Sequence, residues 1–326
     1  MKKISIAILI LLSVILPLAS CENDVETIWS DNNEARLVLN AQIRQDKATH
    51  TLFVYNSEKS HCDPVDGAAV TCTLNSKPLE VVPSEGGRYK FDAQLSAGDA
   101  LEFKVSWRGL NASASAVVPE PAGGITAVTI TEMIIEDEYE SQWSRILESI
   151  TFKDRPGVKD FYMLTVENVY HRLDAEGNVT ESFAVETTVD AGDDKVLNPM
   201  GAEVSEFTGY DNDYNIFTDE MFADASYTFR VYATNGYVYS NEWVEFLNRF
   251  SEGDPYTMDR VYKVYSIDFD EYMYLQAMSA RSNDIGFMTE PVVFPENVVG
   301  GHGFVTAMTP VTWTISSGPY EFSWSM

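Results

Sequence analysis

The chain has 326 residues, with 50 Asp and Glu against 22 Lys and Arg, a formal net charge of −28. Acidity on that scale excludes nucleic acid and anionic headgroups as natural partners, since their own negative charge would be repelled across most of the surface. With 17 Tyr, 17 Phe and 6 Trp there is ample material for a large core, and the length suits two domains.

The chain opens on Lys2 and Lys3, followed from Ile4 to Leu18 by a run made mostly of Ile, Leu, Val and Ala. The run has the length of a signal-peptide core and is short for a stable membrane-spanning helix. It ends in Leu18-Ala19-Ser20-Cys21, which looks like the lipobox of bacterial lipoproteins. Residues 1–20 are therefore expected to be a signal peptide, with Cys21 acylated (palmitate included) as the first mature residue. Cleavage removes only Lys2 and Lys3 from the charge count, leaving 20 basic against 50 acidic residues, a balance of −30. Glu22-Asn23-Asp24-Val25-Glu26 resembles the surface-export signal of Bacteroidota lipoproteins, which places the protein on the outer membrane facing the exterior. Residues 21–35 read as a flexible tether. No later run is long and apolar enough to span a bilayer.

From Arg36 to Val118 the pattern is short, alternating and β-branched. Leu37, Leu39, Ala41 and Ile43 share one strand face, and further strands are expected at Thr51–Tyr55, Ala69–Leu74, Leu79–Val82, Arg88–Phe91, Leu101–Trp107 and Ala112–Val118. Turn signals such as Asp63-Pro64, Asp66-Gly67 and Glu85-Gly86-Gly87 separate them. Seven strands at this spacing predict a small immunoglobulin-like or transthyretin-like β-sandwich over residues 36–119. Two cysteines follow Cys21, and in an oxidising space Cys62 and Cys72 are expected to form a disulfide.

Pro119 to Gly124 reads as a linker. Beyond it, residues 125–326 are expected to form a larger β-rich domain with one or two short helices, the chain as a whole being mainly β. Strands are expected around Val128–Ile134, Phe161–Val169, Phe183–Val189, Tyr227–Ala233, Val238–Val244 and Val261–Ile267. Trp143, Ile146, Leu147 and Ile150 fit helical spacing, although Thr151-Phe152 looks extended, so that segment is open. A helix is expected from Phe269 to about Ser282, capped by Asp268 with Glu271 three positions on, and packed through Phe269, Tyr272 and Met273.

Catalytic signatures are absent: no G-x-S-x-G, no P-loop, no G-x-G-x-x-G after a strand, no H-E-x-x-H. No catalytic residue and no cofactor is expected. Asp211, Asp213 and Asn215 begin like a calcium loop, but Ile216 stands where Gly is needed and Phe222 where the bidentate Glu belongs. A solvated acidic loop is the reading there. Of the aromatics between Tyr210 and Trp243, the loop residues Tyr210, Tyr214 and Tyr237 are the candidate contacts for a ligand or partner.

Several stretches carry a resemblance: Gly87-Arg88-Tyr89; Gly98-Asp99 before Leu101, Phe103 and Val105; and Phe152 to Gly157 with Phe161-Tyr162. Phe217 to Phe222, Tyr272-Met273-Tyr274, and Glu290-Pro291-Val292 running through Asn297 to Gly300-Gly301-His302-Gly303-Phe304 complete the set. In this order they resemble a family of Bacteroidota outer-membrane lipoproteins classed as domain of unknown function 4249. Within the last block, a Pro-Val strand and a Gly-rich turn returning the chain to the sheet are expected. The resemblance implies an accessory of a TonB-dependent outer-membrane transporter that captures or hands over a nutrient ligand, without chemistry of its own. A structural or adhesive surface protein is the alternative, and a secreted hydrolase comes third.

Overall fold

The structure is a computed structural model that describes residues 34–58, 61–121, 123–136, 142–192, 194–199, 212–234, 241–282 and 293–322. Its first part holds β1 (Arg36–Arg44), β2 (Thr49–Glu58), β3 (His61–Pro64), β4 (Ala69–Leu74), β5 (Lys77–Leu79), β6 (Val82–Ser84), β7 (Arg88–Asp92), β8 (Ala100–Trp107) and β9 (Leu110–Val117). Alternation decides the packing: Leu37, Leu39, Ala41 and Ile43 of β1 point inward and their neighbours outward. Together with Val54, Phe91, Phe103 and Val105 they form one core between the β1-β2-β7 strands and the four-stranded sheet β5-β4-β8-β9. The expected strand at Leu79–Val82 is split between β5 and β6, and Asp63-Pro64, expected as a turn, ends β3 against β2.

The second part adds β10 (Gly123–Glu136), β11 (Gln142–Asp154), β12 (Phe161–Leu173), β13 (Val179–Glu186), β14 (Thr188–Asp190), β15 (Ile216–Thr218), β16 (Ser226–Thr234), β17 (Pro255–Ile267) and β18 (Val305–Glu321). Its helices are α1 (Asn241–Leu247), α2 (Phe269–Ser282) and a 3-10 turn over Asp219–Met221. The molecule is mostly strand, as the sequence led one to expect. Phe152, Tyr162, Leu164, Phe217, Phe229 and Tyr262 make a second core between β12-β17-β18 and the sheet β10-β11-β16-β14. The opposite face of β12 and β17 presents Met163 and Tyr265 to Leu275 of α2, forming a third cluster. Covered on both faces, β12 and β17 read as unbroken buried runs.

Strand β18 ties the halves together. Its first residues pair in parallel with β1, Ala41 opposite Val305 and Arg44 opposite Met308, and the remainder runs antiparallel to β17. One sheet thus continues as β13-β12-β17-β18-β1-β2-β7-β6. Val305 and Ala307 belong to the first core, while Val311, Trp313 and Ile315 pack on the second. Just before β18, His302 donates its backbone N–H to the Leu37 carbonyl of β1 and accepts from the Leu39 N–H, and Val299 pairs with Ser113 of β9. The approach is closest at Gly303, with φ +107, where a Cβ would lie 2.2 Å from the Leu39 carbonyl oxygen. Asn297 brackets Val305, donating to its carbonyl at 2.6 Å and accepting from its N–H at 2.9 Å.

A charged clasp spans this junction. Lys263 of β17 donates at 2.8 Å to both Asp46 and Glu167, and Arg44 donates to Glu167 at 2.8 Å and to the Tyr265 hydroxyl. Burial pushes the Glu167 carboxyl up, but the hydrogen bonds from Lys263 and Arg44 outweigh it and hold the group below the usual carboxylate range.

One segment left open by the sequence is decided, and two expectations are corrected. Residues 142–154 form β11, because pairing with β10 and β16 outweighs the helical spacing of Trp143, Ile146, Leu147 and Ile150. Asn241–Leu247 is helix α1 and not strand, since Trp243 and Phe246, three positions apart, both meet Phe183 and Trp243 also meets Tyr170; residues 238–240 lie outside the described residues. The expected Pro-Val strand falls on Pro291 and Val292, outside the described residues, and residues 293–298 after it form no strand. The Cys62–Cys72 bridge is not made: Cys62 is exposed on β3 and Cys72 is buried on β4, in a different sheet. Burial pushes the Cys72 thiol up to about 12, which leaves it protonated and a poor nucleophile.

Candidate binding cleft

Asp194 organises the first wall of a cleft. Its carboxylate accepts from the N–H groups of Val196, Leu197 and Arg230 at 2.9, 3.0 and 2.9 Å, fixing residues 194–198 as a tight turn against β16. Asn212 stitches that turn to the next: its amide donates to the Leu197 and Ile216 carbonyls at 2.9 and 2.7 Å and accepts from the Ile216 N–H at 3.0 Å. The Thr218 hydroxyl caps the 3-10 turn that carries Glu220 and Met221. The first turn of α2 closes the far side with Tyr272. Between them lies a cavity of about 210 Å³ lined by Leu197, Asn212, Thr218, Glu220, Met221 and Tyr272.

Apolar surface spreads outward from this cavity. Met221 is 61 % exposed, Phe269 54 % and Val158 50 %. Phe161 joins them, its ring 5.3 Å from Phe269 and 5.2 Å from Tyr272. Lys159 lies over the Phe161 ring and pairs with Glu220 at the rim. On so acidic a molecule, large exposed apolar side chains beside a concavity make this the candidate contact surface. The outward position of Phe269 and Met273 also corrects an expectation: α2 buries Glu271, Leu275 and Ser279 against the sheet instead.

The floor is rigid. Arg155 grips Asp160 with two hydrogen bonds of 2.7 and 3.2 Å, the Asp160 N–H donates to Asp219, and the Tyr162 hydroxyl donates to Asp154 at 2.5 Å. Burial, reinforced by the neighbouring Asp154, raises the Asp160 and Asp219 carboxyls above their ordinary range. Each of these acids holds a loop in place. No group of three or more His, Cys, Asp or Glu among the described residues is arranged to hold a metal.

Glu271, in the first turn of α2, is 1 % exposed; it accepts from Gln42 of β1 at 3.0 Å, and the Asp268 carboxylate caps its N–H at 2.7 Å. That cap is where the sequence placed it. Burial pushes the Glu271 carboxyl up to about 7. Because this lies above the unfolded value, the group stabilises the fold fully in mild acid, and that contribution is lost as pH rises towards 7. Glu271→Gln keeps the bond to Gln42 and cannot ionise. It should raise stability at pH 8 by on the order of 1–3 kcal/mol and change little at pH 5. Urea unfolding at the two pH values checks this; an equal effect at both would show that ionisation of Glu271 is not involved.

Of the sequence candidates, Tyr214 is half-buried and packs in the third cluster with Tyr272, and it is not among the residues that line the cavity. Asp213 is exposed, and Asn215, at φ +50, has its backbone engaged with Asn212 and Leu164. Ile216 and Phe222, which break the calcium pattern, are buried. Tyr210, Asp211 and Tyr237 lie outside the described residues. The sequence did not single out Met221, Phe269 or Tyr272 as contacts; the signal was an apolar sweep on α2 too wide for one buried face. A larger open depression of about 520 Å³ lies on the outer face of β4, β8 and β9, lined by Thr71, Lys104, Asn111 and Ser113, and carries no aromatic ring.

A family model described as a domain of unknown function, DUF4249, matches residues 22–314. The chain belongs to that family. Three stretches by which it resembled the family, Phe152 to Gly157 with Phe161-Tyr162, Phe217 to Phe222 and Tyr272 to Tyr274, touch one another beside the cleft through Phe152 and Tyr162 on Phe217 and Phe161 on Tyr272. Tyr274 continues to the last block by stacking on Phe304, ring centres 4.8 Å apart. No curated protein matches the chain. Among solved structures, a DUF4785 family protein from Legionella pneumophila is 7 % identical, with a TM-score of 0.19, over 71 % of this chain and 52 % of that one. The chain thus spans about half the length of that structure.

Proposed function

We propose that the protein is a surface lipoprotein of the outer membrane, anchored through acylated Cys21, that binds a partner or ligand without catalysing a reaction. Its partner is a TonB-dependent transporter, which it assists in nutrient capture. The observation that carries this reading is the cleft lined by exposed Met221, with exposed Phe269 beside it through the rings of Phe161 and Tyr272. The lipobox at Cys21 and the acidic residues behind it support the anchor and its outward face.

The test is recovery from detergent-solubilised outer membranes through a carboxyl-terminal tag. A large β-barrel transporter should come down in near-stoichiometric amount. The double variant Met221→Asp/Phe269→Asp should lower that recovery at least about tenfold, while thermal stability changes little because both side chains are largely in solvent. Recovery of the tagged protein alone, or a barrel that ignores the double variant, would sink the reading.

A further inference from the structure

Strand β10 is the edge of its sheet. All along Gly123–Glu136 it pairs with β11, and among the described residues no strand pairs with its other side. Support from within the sheet also gives out, because β16 backs β11 only opposite Glu148–Lys153. Thr131–Glu136 and Gln142–Leu147 therefore extend past it as a two-stranded ribbon, a unit that is marginal by itself. Thr129, Ile130, Thr131 and Glu132 are all exposed in succession, so neither face is covered there.

Proteins usually blunt such an edge with Lys, Pro or a bulge along it. Gly123–Glu136 contains no Lys, Arg or Pro, and its one register shift lies at the start, between Ile125 and Ala127. The face that lower down sends Val128 and Ile150 into the second core continues upward as Ile130 and Ile146, each 44 % exposed. On that face an added strand would lie beside Val128, Ile130 and Glu132, and on the reverse face beside Thr129 and Thr131.

Charge selects the occupant. Strand β10 itself carries two acids, Glu132 and Glu136, and no Lys or Arg, on a chain whose formal net charge is −28. Two copies edge to edge would bring these acids together, which disfavours self-pairing. We infer that β10 receives an extended segment of a second protein, of alternating apolar and Lys- or Arg-bearing residues, as a further strand of the sheet. The inference stands on the strand edge alone and not on the cleft.

Hydrogen exchange on the mature full-length protein tests it, using a synthetic peptide of about twelve alternating Lys and Val residues as probe. Slowed exchange across residues 125–136 is expected. A peptide of equal charge interrupted by prolines should give no such protection, since it cannot continue a ladder. Ile130→Lys should weaken the probe's binding by about tenfold or more and leave the melting temperature unchanged, Ile130 being exposed. Equal binding of the proline peptide, or protection only elsewhere, would reduce the effect to charge adsorption and overturn the inference. So would a dimer in sedimentation that Ile130→Lys dissolves, for the occupant would then be a second copy.

Discussion

Replacing Gly303 with alanine should cost about 3–5 kcal/mol, a large part of the stability of an ordinary domain, and valine at that position should leave little folded protein. Two penalties combine there. The residue sits at φ +107, outside the range L-residues readily adopt, and a Cβ would fall 2.2 Å from the Leu39 carbonyl oxygen. The backbone cannot step aside, because His302 donates to Leu37, Leu39 donates to His302, and Ala41 donates to Phe304. Gly98→Ala is the control: φ is +84 but the space around it is open, so only about 1 kcal/mol is expected. Urea midpoints for the pair decide the matter. Equal shifts would mean that the close approach over β1 contributes nothing beyond backbone strain.

Arg260→Met should cost about as much, on the order of 3–5 kcal/mol, through a different mechanism. Arg260 donates to Glu148 at 2.5 Å, to Asn168 at 2.8 Å and to the Ala233 carbonyl at 2.9 Å, linking β17 to β12, β11 and β16 from inside the second core. Glu148 and Asn168 are each 2 % exposed, so neither finds water when the guanidinium is gone. Burial already raises the Glu148 carboxyl even with Arg260 beside it. Without that partner it takes up a proton more readily, and the loss should be smaller at pH 5 than at pH 8. The double variant Glu148→Leu/Arg260→Met should recover most of the stability, as apolar replacement of a buried pair often does. A purely additive double variant would show that the two residues act independently.

Much of the fold was legible because period-two alternation is a local signal. Leu37, Leu39, Ala41 and Ile43 announced β1, and Tyr227, Phe229 and Val231 announced β16, without knowledge of their partners. Asp268 gave away the start of α2 because a cap acts within four residues. What stayed hidden depends on distant pieces of chain. Val305 to Met308 is buried on both faces, a pattern that gives no hint of a parallel partner in β1. Gly303 read as a turn glycine, and only the fold shows the carbonyl it must avoid. Trp243, Phe246 and Phe250 carried a helical period, but the Val and Tyr residues just before them favoured a strand. The cleft was not legible: Tyr214, which was singled out, packs in the third cluster, while Met221 and Phe269 looked like ordinary core residues.

The position of β18 has a consequence for the order of events in folding. Asn40 accepts the Phe304 N–H across 264 positions of sequence, and the first core includes Val305 and Ala307. A chain that leaves the ribosome amino end first must hold the outer edge of β1 open until nearly the last strand has been made. Contacts at such separation demand the closure of a very long loop before they return any stability, which slows folding and prolongs exposure of sticky surface. The amino-terminal half is thus expected to become fully native late, in step with the carboxyl-terminal half.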